Sequence, residues 1–175
     1  EDMYETLYRQ MLESNADLSM CGHYDVYHQI PEKQVAAIQT WELTPQEAIK
    51  MVMEAKILSV TAVNKLYKKE LFEHLRFEIG KIAEDAFIMI ALIHHCRKVV
   101  ATNEKKYYYV HRENSITTQK FSLKFLNVIE AYERNANIIR ENYPELAAVA
   151  TMRLNWAYFY VLGRLLVDAD FKDRV

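Results

Sequence analysis

The sequence predicts an α/β protein, a mixed sheet followed by a helical appendage, and three observations carry that expectation. Short segments that read as strands, 16–28 and 97–111, are separated by stretches of helical periodicity. The run Ala86 to Ile93 is apolar on every side, the pattern of a helix buried all round. After Thr117 the pattern changes to two long helical stretches, 122–142 and 144–169, divided at Pro144, as in antiparallel helices set after a sheet.

Met3, Leu7 and Met11 fall four apart, as do Tyr4, Tyr8 and Leu12. The two rows make a broad apolar stripe on a first helix that ends near Asn15, with Asp2 as its cap. Ala16 to Cys21 reads as a strand with Leu18 and Met20 on one face. Gly22 interrupts it, and His23 to His28 alternates again, setting Tyr24 and Val26 against Asp25 and Tyr27. Gln29 to Thr40 contains Pro31 and reads as a surface excursion. Thr44-Pro45-Gln46-Glu47 is a helix start, with a Thr cap, Pro in the first helical position and an acid in the first turn. That helix is expected to reach Ala55 and to bury Ala48, Ile49, Val52 and Met53. Lys68 to His74 reads as one or two helical turns. Arg97 to Thr102 and Lys105 to His111 read as two strands joined by a turn at Asn103-Glu104. Because strands alternate faces, at least one of Tyr107, Tyr108 and Tyr109 should lie in the core. In the first late helix, Phe125, Val128, Ile129, Tyr132, Ala136 and Ile139 form the buried stripe.

At 175 residues the chain is long enough for one sizeable core or for part of a larger domain. Hydrophobic residues make up 51% and charged residues 26%, which excludes disorder as the general state. The formal net charge of -2 gives no footprint for nucleic acid. With only three glycines, Gly22, Gly80 and Gly163, neither common glycine-rich phosphate loop is present. The two cysteines, Cys21 and Cys96, are far apart and read as buried reduced thiols. No signal peptide opens the chain, so a cytoplasmic setting is expected; the chain, lacking an initiator Met, is expected to begin partway through a longer polypeptide. Leu154 to Val167 is apolar around much of its circumference, but it is interrupted by Arg164 and falls short of the roughly 20 residues of a membrane span. Arg153, Tyr160 and Arg164 share one face of that helix. Two readings stand for the segment 144–169: a packing helix, or a contact with a second copy of the chain or a membrane surface.

Glu84-Asp85 opens the apolar run. Acids in a first helical turn are stabilised by the exposed amides and the dipole there, which explains the pair structurally. The chemical alternative is a carboxylate held at a cleft, able to take a proton from a substrate hydroxyl. His94-His95 invites a metal reading, but adjacent helical residues point about 100° apart and do not converge on one ion. Lys68-Lys69 and Lys105-Lys106 read as solvated charge.

The chain then presents an ordered series of motifs. Asn64-Lys65-Leu66-Tyr67-Lys68-Lys69-Glu70-Leu71-Phe72 is followed by Arg76-Phe77, by Gly80-Lys81-Ile82 leading into Glu84-Asp85, and by Tyr107-Tyr108-Tyr109 leading into Arg112-Glu113-Asn114-Ser115-Ile116-Thr117. In this order and at these separations the series resembles the C-terminal half of bacterial family-2 glycosyltransferases, from about Met3 to about Thr117 and more weakly beyond. The resemblance implies a GT-A fold, whose N-terminal half binds the nucleotide and ends in an Asp-x-Asp motif. Residues 1–118 are then expected to be the acceptor-side half, with the donor-binding half absent from this chain, and residues 119–175 the helical appendage.

The resemblance also assigns residues. Asp85 falls at the general base, which removes the acceptor's proton as it attacks the anomeric carbon, with inversion of configuration. Glu84 is expected to orient Asp85 or to contact the acceptor. Arg112 matches a basic residue that steadies the leaving diphosphate, for which the bidentate guanidinium is suited, and a surface salt bridge is its alternative. His111 is a candidate donor or metal ligand. Ser115 and Thr117 are phosphate contacts or turn residues. Asn64 and Lys65 border the cleft, with structural hydrogen bonding the favoured role for Asn64. A divalent metal, Mn or Mg, is implied for the full-length enzyme, with ligands mainly outside this chain. The implied partners are a nucleotide-sugar donor, taken as a UDP-sugar, and a glycan acceptor, with capsular, exopolysaccharide or glycoprotein glycan synthesis as the setting. The reading from another class is a non-catalytic module whose late helices mediate assembly.

Overall fold

The computed structural model describes residues 2–31, 37–112, 115 and 119–167. The elements run α1 (Met3–Ser14), β1 (Leu18–Val26), β2 (Thr40–Leu43), α2 (Pro45–Glu54), β3 (Lys65–Tyr67), α3 (Glu84–His94), β4 (Val99–Val110), α4 (Leu126–Asn142) and α5 (Ala147–Val167). Short 3-10 turns at Lys69–Phe72, Leu123–Phe125 and Pro144–Leu146 punctuate them. The sheet is mixed, in the order β2-β4-β1-β3. β1 and β4 are parallel at its centre, and the short edge strands β2 and β3 run antiparallel to them. This is the α/β class expected, with helices following the sheet, and it is consistent with a partial GT-A-like fold.

Sequence patterns account for most elements. α2 starts on a full capping box: the Glu47 amide donates to Thr44 Oγ1 (3.3 Å), and the Thr44 amide donates back to Glu47 Oε2 (2.8 Å). It buries Ala48, Ile49, Val52 and Met53, the four residues expected. α3 buries Ala86, Phe87, Ile88, Met89, Ile90, Leu92 and Ile93, so it is enclosed on nearly all sides, as its uniform apolarity requires. On α4 the expected stripe is buried except for Ile129, which packs against the core at its margin. Arg153 and Arg164 of α5 turn inward, their guanidinium groups lying over Tyr132 and Phe125. One buried cluster takes residues from β1, α2, α3, β4, α4 and α5, among them Leu18, Val52, Ile90, Val99, Ile139 and Val161.

Some expectations are corrected. The stripe of α1 is narrower than predicted: Met3, Leu7 and Met11 are buried, but Tyr4, Tyr8 and Leu12 are exposed, because the helix covers the sheet with one row only. Asp2 makes no side-chain cap bond; its carboxylate pairs with Lys106 instead. Gly22 does not divide β1. The strand pair predicted at 97–111 is one continuous strand, β4. Opposite β1, Met20 pairs with Ala101 and Gly22 with Lys105, so the extra residues around Asn103-Glu104 are absorbed as a bulge. The bulge is held by Thr102 Oγ1, which accepts from the Glu104 amide (3.1 Å), and by Asn103 Oδ1, which accepts from the Gln39 amide (2.8 Å). Gly22 lies against it: a Cβ there would come within 3.1 Å of the Asn103 carbonyl oxygen. None of Tyr107, Tyr108 and Tyr109 is in the main core; Tyr107 packs on the small cluster of Met3, Leu7 and Cys21. β3 is a further strand, for which the sequence pattern carries no expectation.

Candidate active site

Toward the carboxyl ends of the parallel strands β1 and β4, the N-terminus of α3 brings up Asp85. In open α/β sheets this end of the strands is where ligands bind. Ala83, in the left-handed region (φ 57°), ends the loop and begins the helix, and Glu84 and Asp85 form its first turn. Asp85 is half-buried. Its Oδ2 accepts a hydrogen bond from the Ala62 amide (2.8 Å). Burial raises its pKa above the ordinary aspartate value; the Glu84 charge adds to the rise, while the Ala62 amide and the Lys65 charge oppose it. Glu84 is exposed and makes no hydrogen bond to Asp85. The group that holds the Asp85 carboxylate is the backbone amide of Ala62, in the 55–64 loop.

Lys65 and Asn64 stand on the other side of this loop, nearly inaccessible to solvent. The Lys65 ammonium donates to the Thr61 carbonyl and to Asn64 Oδ1 (3.1 Å). Burial lowers its pKa to about 8, and the charge of Asp85 opposes that fall. Asn64 is structural: its side-chain amide donates to the Cys21 carbonyl, and its own carbonyl accepts from the Cys21 amide (3.1 Å). Tyr67 donates from its hydroxyl to the Ala62 carbonyl (3.2 Å).

His111 follows β4 and joins a second group. Its Nε2 lies 2.8 Å from Asp25 Oδ1, and its ring stacks on Tyr27 at 4.3 Å between centroids. His23 lies 3.8 Å from the same carboxylate oxygen. Burial lowers the pKa of His23, with Asp25 opposing. Tyr109 connects the two groups: its ring is 5.0 Å from His111, and burial together with the charges of Asp85, Glu84 and Asp25 raises its pKa. A cleft of about 390 Å³ opens beside them, lined by Gly22, His23, Asp25, Lys105 and the 55–59 loop.

Arg112 and Ser115 lie just past β4, Arg112 exposed and Ser115 half-buried, with the Ser115 amide donating to the Arg112 carbonyl (3.4 Å). Thr117 falls outside the described residues. The sequence reading missed His23, Asp25, Tyr27 and Tyr67 as site residues. The alternation of β1 was the available signal, since it sets 23, 25 and 27 on one side. His94 and His95 do not converge: His94 meets the Tyr143 hydroxyl (3.0 Å) and His95 the Ala91 carbonyl (2.8 Å). Among the described residues no group of three or more His, Cys, Asp or Glu is arranged to hold a metal ion. The resemblance places the ligands of the divalent metal mainly outside this chain.

A larger cleft, about 740 Å³, lies at the opposite ends of β1 and β4, between Asp17, Lys68, Leu71, Leu75, His95 and Arg97. Its central carboxylate, Asp17, is fully engaged by Arg97 and Lys68, so it offers no free base.

Fold and site together define a mixed α/β protein with a half-buried, hydrogen-bonded carboxylate toward the carboxyl ends of its parallel strands. The sequence is similar to that of the glycosyltransferase GlyA of Streptococcus pneumoniae serotype 4 (strain ATCC BAA-334 / TIGR4), at 27% identity over 156 residues, covering 82% of this chain and 22% of the relative. It is also similar to the glycosyltransferase GlyG of the same strain, at 27% identity over 144 residues, 77% of this chain and 48% of the relative. The chain thus spans about a fifth and about half of the lengths of these curated relatives. No family model matches. Both relatives are named glycosyltransferases. Among the described residues no helix is long and apolar enough to cross a membrane.

Proposed function

We propose that this chain is the acceptor-side, base-bearing part of an inverting family-2 glycosyltransferase, which moves a sugar from a nucleotide-diphosphate donor, a UDP-sugar, to a glycan or glycoconjugate hydroxyl. The observation that carries the reading is Asp85: a half-buried carboxylate fixed through Oδ2 by a backbone amide at the carboxyl ends of the parallel strands. Oδ1 is then the oxygen for the acceptor hydroxyl. As the hydroxyl oxygen forms its bond to the anomeric carbon, its proton passes to Asp85 and the nucleotide diphosphate departs from the opposite face. Burial makes Asp85 a stronger base than an exposed aspartate, and the Ala62 amide and Lys65 stabilise its anion. His111, Asp25, His23 and Tyr109 offer hydrogen-bonding and stacking groups for the acceptor sugar. Arg112 is assigned to the leaving diphosphate.

Asp85→Asn in the full-length enzyme tests this. Transfer should fall by roughly 10²–10⁴-fold while nucleotide affinity stays the same. Near-normal transfer would return Glu84-Asp85 to the role of stabilising a helix start. A second reading, an assembly module, rests on the outer face of α5, where Met152, Phe159, Leu162 and Leu166 are exposed. Undiminished transfer by Asp85→Asn would favour it.

A further inference from the structure

We propose that Lys65 and Tyr67 are positioning residues, which hold the turn at 61–62 from β3 and through the Ala62 amide fix the carboxylate of Asp85. The bonds form a continuous path. β3 is paired to β1 through Lys65 opposite Met20 and Tyr67 opposite Leu18. From that fixed strand, the Lys65 ammonium takes the Thr61 carbonyl and the Tyr67 hydroxyl takes the Ala62 carbonyl (3.2 Å). Two successive carbonyls of one turn are thereby held from the same strand. The Ala62 amide, on the other side of that turn, reaches Asp85 Oδ2 (2.8 Å). The Ser59 hydroxyl donates to Thr61 Oγ1 (2.9 Å), which stiffens the turn from within.

A lysine with only 4% of its surface exposed is costly to bury, and two of its three ammonium protons are engaged by Thr61 and Asn64, so it is poorly placed to meet a substrate. Its burial is explained by what it holds and by its charge, which favours the Asp85 anion. Among the described residues, four titratable groups face Asp85: Glu84 on its own helix, Lys65 and Tyr67 on β3, and Tyr109 on β4. Of these, Lys65 is the one cation. The catalytic consequence rests on the reading of Asp85 as the base; the positioning itself does not.

The Ala62 amide supplies a direct readout, because an amide proton bonded to a carboxylate shifts as that carboxylate titrates. In the wild-type chain, the Ala62 amide resonance should follow a single titration that disappears in Asp85→Asn. In Lys65→Met its midpoint should move to higher pH, since a stabilising cation is removed. In Tyr67→Phe the charge stays but the anchor is lost, so exchange of the Ala62 amide with solvent should quicken roughly fivefold. Lys65→Arg, which keeps charge and donors, should hold the midpoint near the wild-type value. An Ala62 amide that does not titrate, or a midpoint and exchange rate unmoved in Lys65→Met and Tyr67→Phe, overturns the proposal. If transfer collapses in Asp85→Asn while those signals stay put, the base stands and the brace falls. If the signals move but Asp85→Asn transfers normally, the brace stands and the base falls.

Discussion

Asp17 offers a measurable test of how the sheet is held together. It precedes β1, and its buried carboxylate ties three strands at once. Oδ1 accepts from Arg97 Nη2 (2.7 Å) and Lys68 Nζ (2.8 Å), and Oδ2 from the Arg97 amide (2.7 Å) and Nε (3.1 Å). Its own amide and carbonyl bond to Lys98 and Lys68 of the flanking chain, both at 2.9 Å. Asp17→Asn keeps the shape, removes the charge, and turns an NH₂ toward groups that are all donors. Breaking a buried pair from one side costs about 3–5 kcal/mol when both partners are enclosed. Here the Arg97 and Lys68 side chains are 70% and 35% exposed, so water screens part of the loss. A cost of about 2–3 kcal/mol follows. For a domain of this size that lowers Tm by about 4–12 °C.

The pH dependence gives the sharper test. Burial alone would raise the Asp17 pKa, but the bonds from the Arg97 side chain, Lys68 and the Arg97 amide more than offset it and hold the carboxyl well below the usual carboxylate range. A group with a depressed folded pKa contributes its stability fully above the unfolded value of about 3.9 and loses it as pH falls toward the folded value. The gap between wild type and Asp17→Asn should therefore be constant near neutral pH and narrow steadily from about pH 5 to about pH 2. Urea unfolding followed by Trp41 and Trp156 fluorescence measures it. A gap below about 0.5 kcal/mol at neutral pH, or one that stays equally large in acid, would refute the reasoning.

Two further substitutions probe the fold. Met89→Ala, at a fully buried position of α3, should cost about 2–5 kcal/mol in urea unfolding, because the surrounding core cannot collapse fully into the space; a cost under about 1 kcal/mol would mean that α3 is not the enclosed helix described. Thr44→Ala dismantles the capping box of α2 and should lower Tm by about 2–4 °C, with Thr44→Ser restoring most of it. An unchanged melting curve for Thr44→Ala would show that the tertiary contacts of α2 alone fix its start.

The sequence by itself determined the features that depend on near neighbours. Thr44, Pro45 and Glu47 define the start of α2 through bonds that span three residues. The unbroken apolar run after Glu84-Asp85 requires a helix enclosed on all sides, and the same run places the acidic pair in its first turn. The periodicity beyond residue 122 gives the two long helices. What only the tertiary structure decided depends on pairing between distant segments. Asn103-Glu104 has turn-forming residues, yet parallel pairing with β1 converts them into a bulge, and no local pattern distinguishes the two. A lysine reads as solvated charge until β3 pairs with β1 and encloses Lys65. His111 meets Asp25 only because β4 lies beside β1 in register. The group that holds Asp85 is a backbone amide at position 62, which any residue but proline supplies, so side-chain identity carries no trace of it.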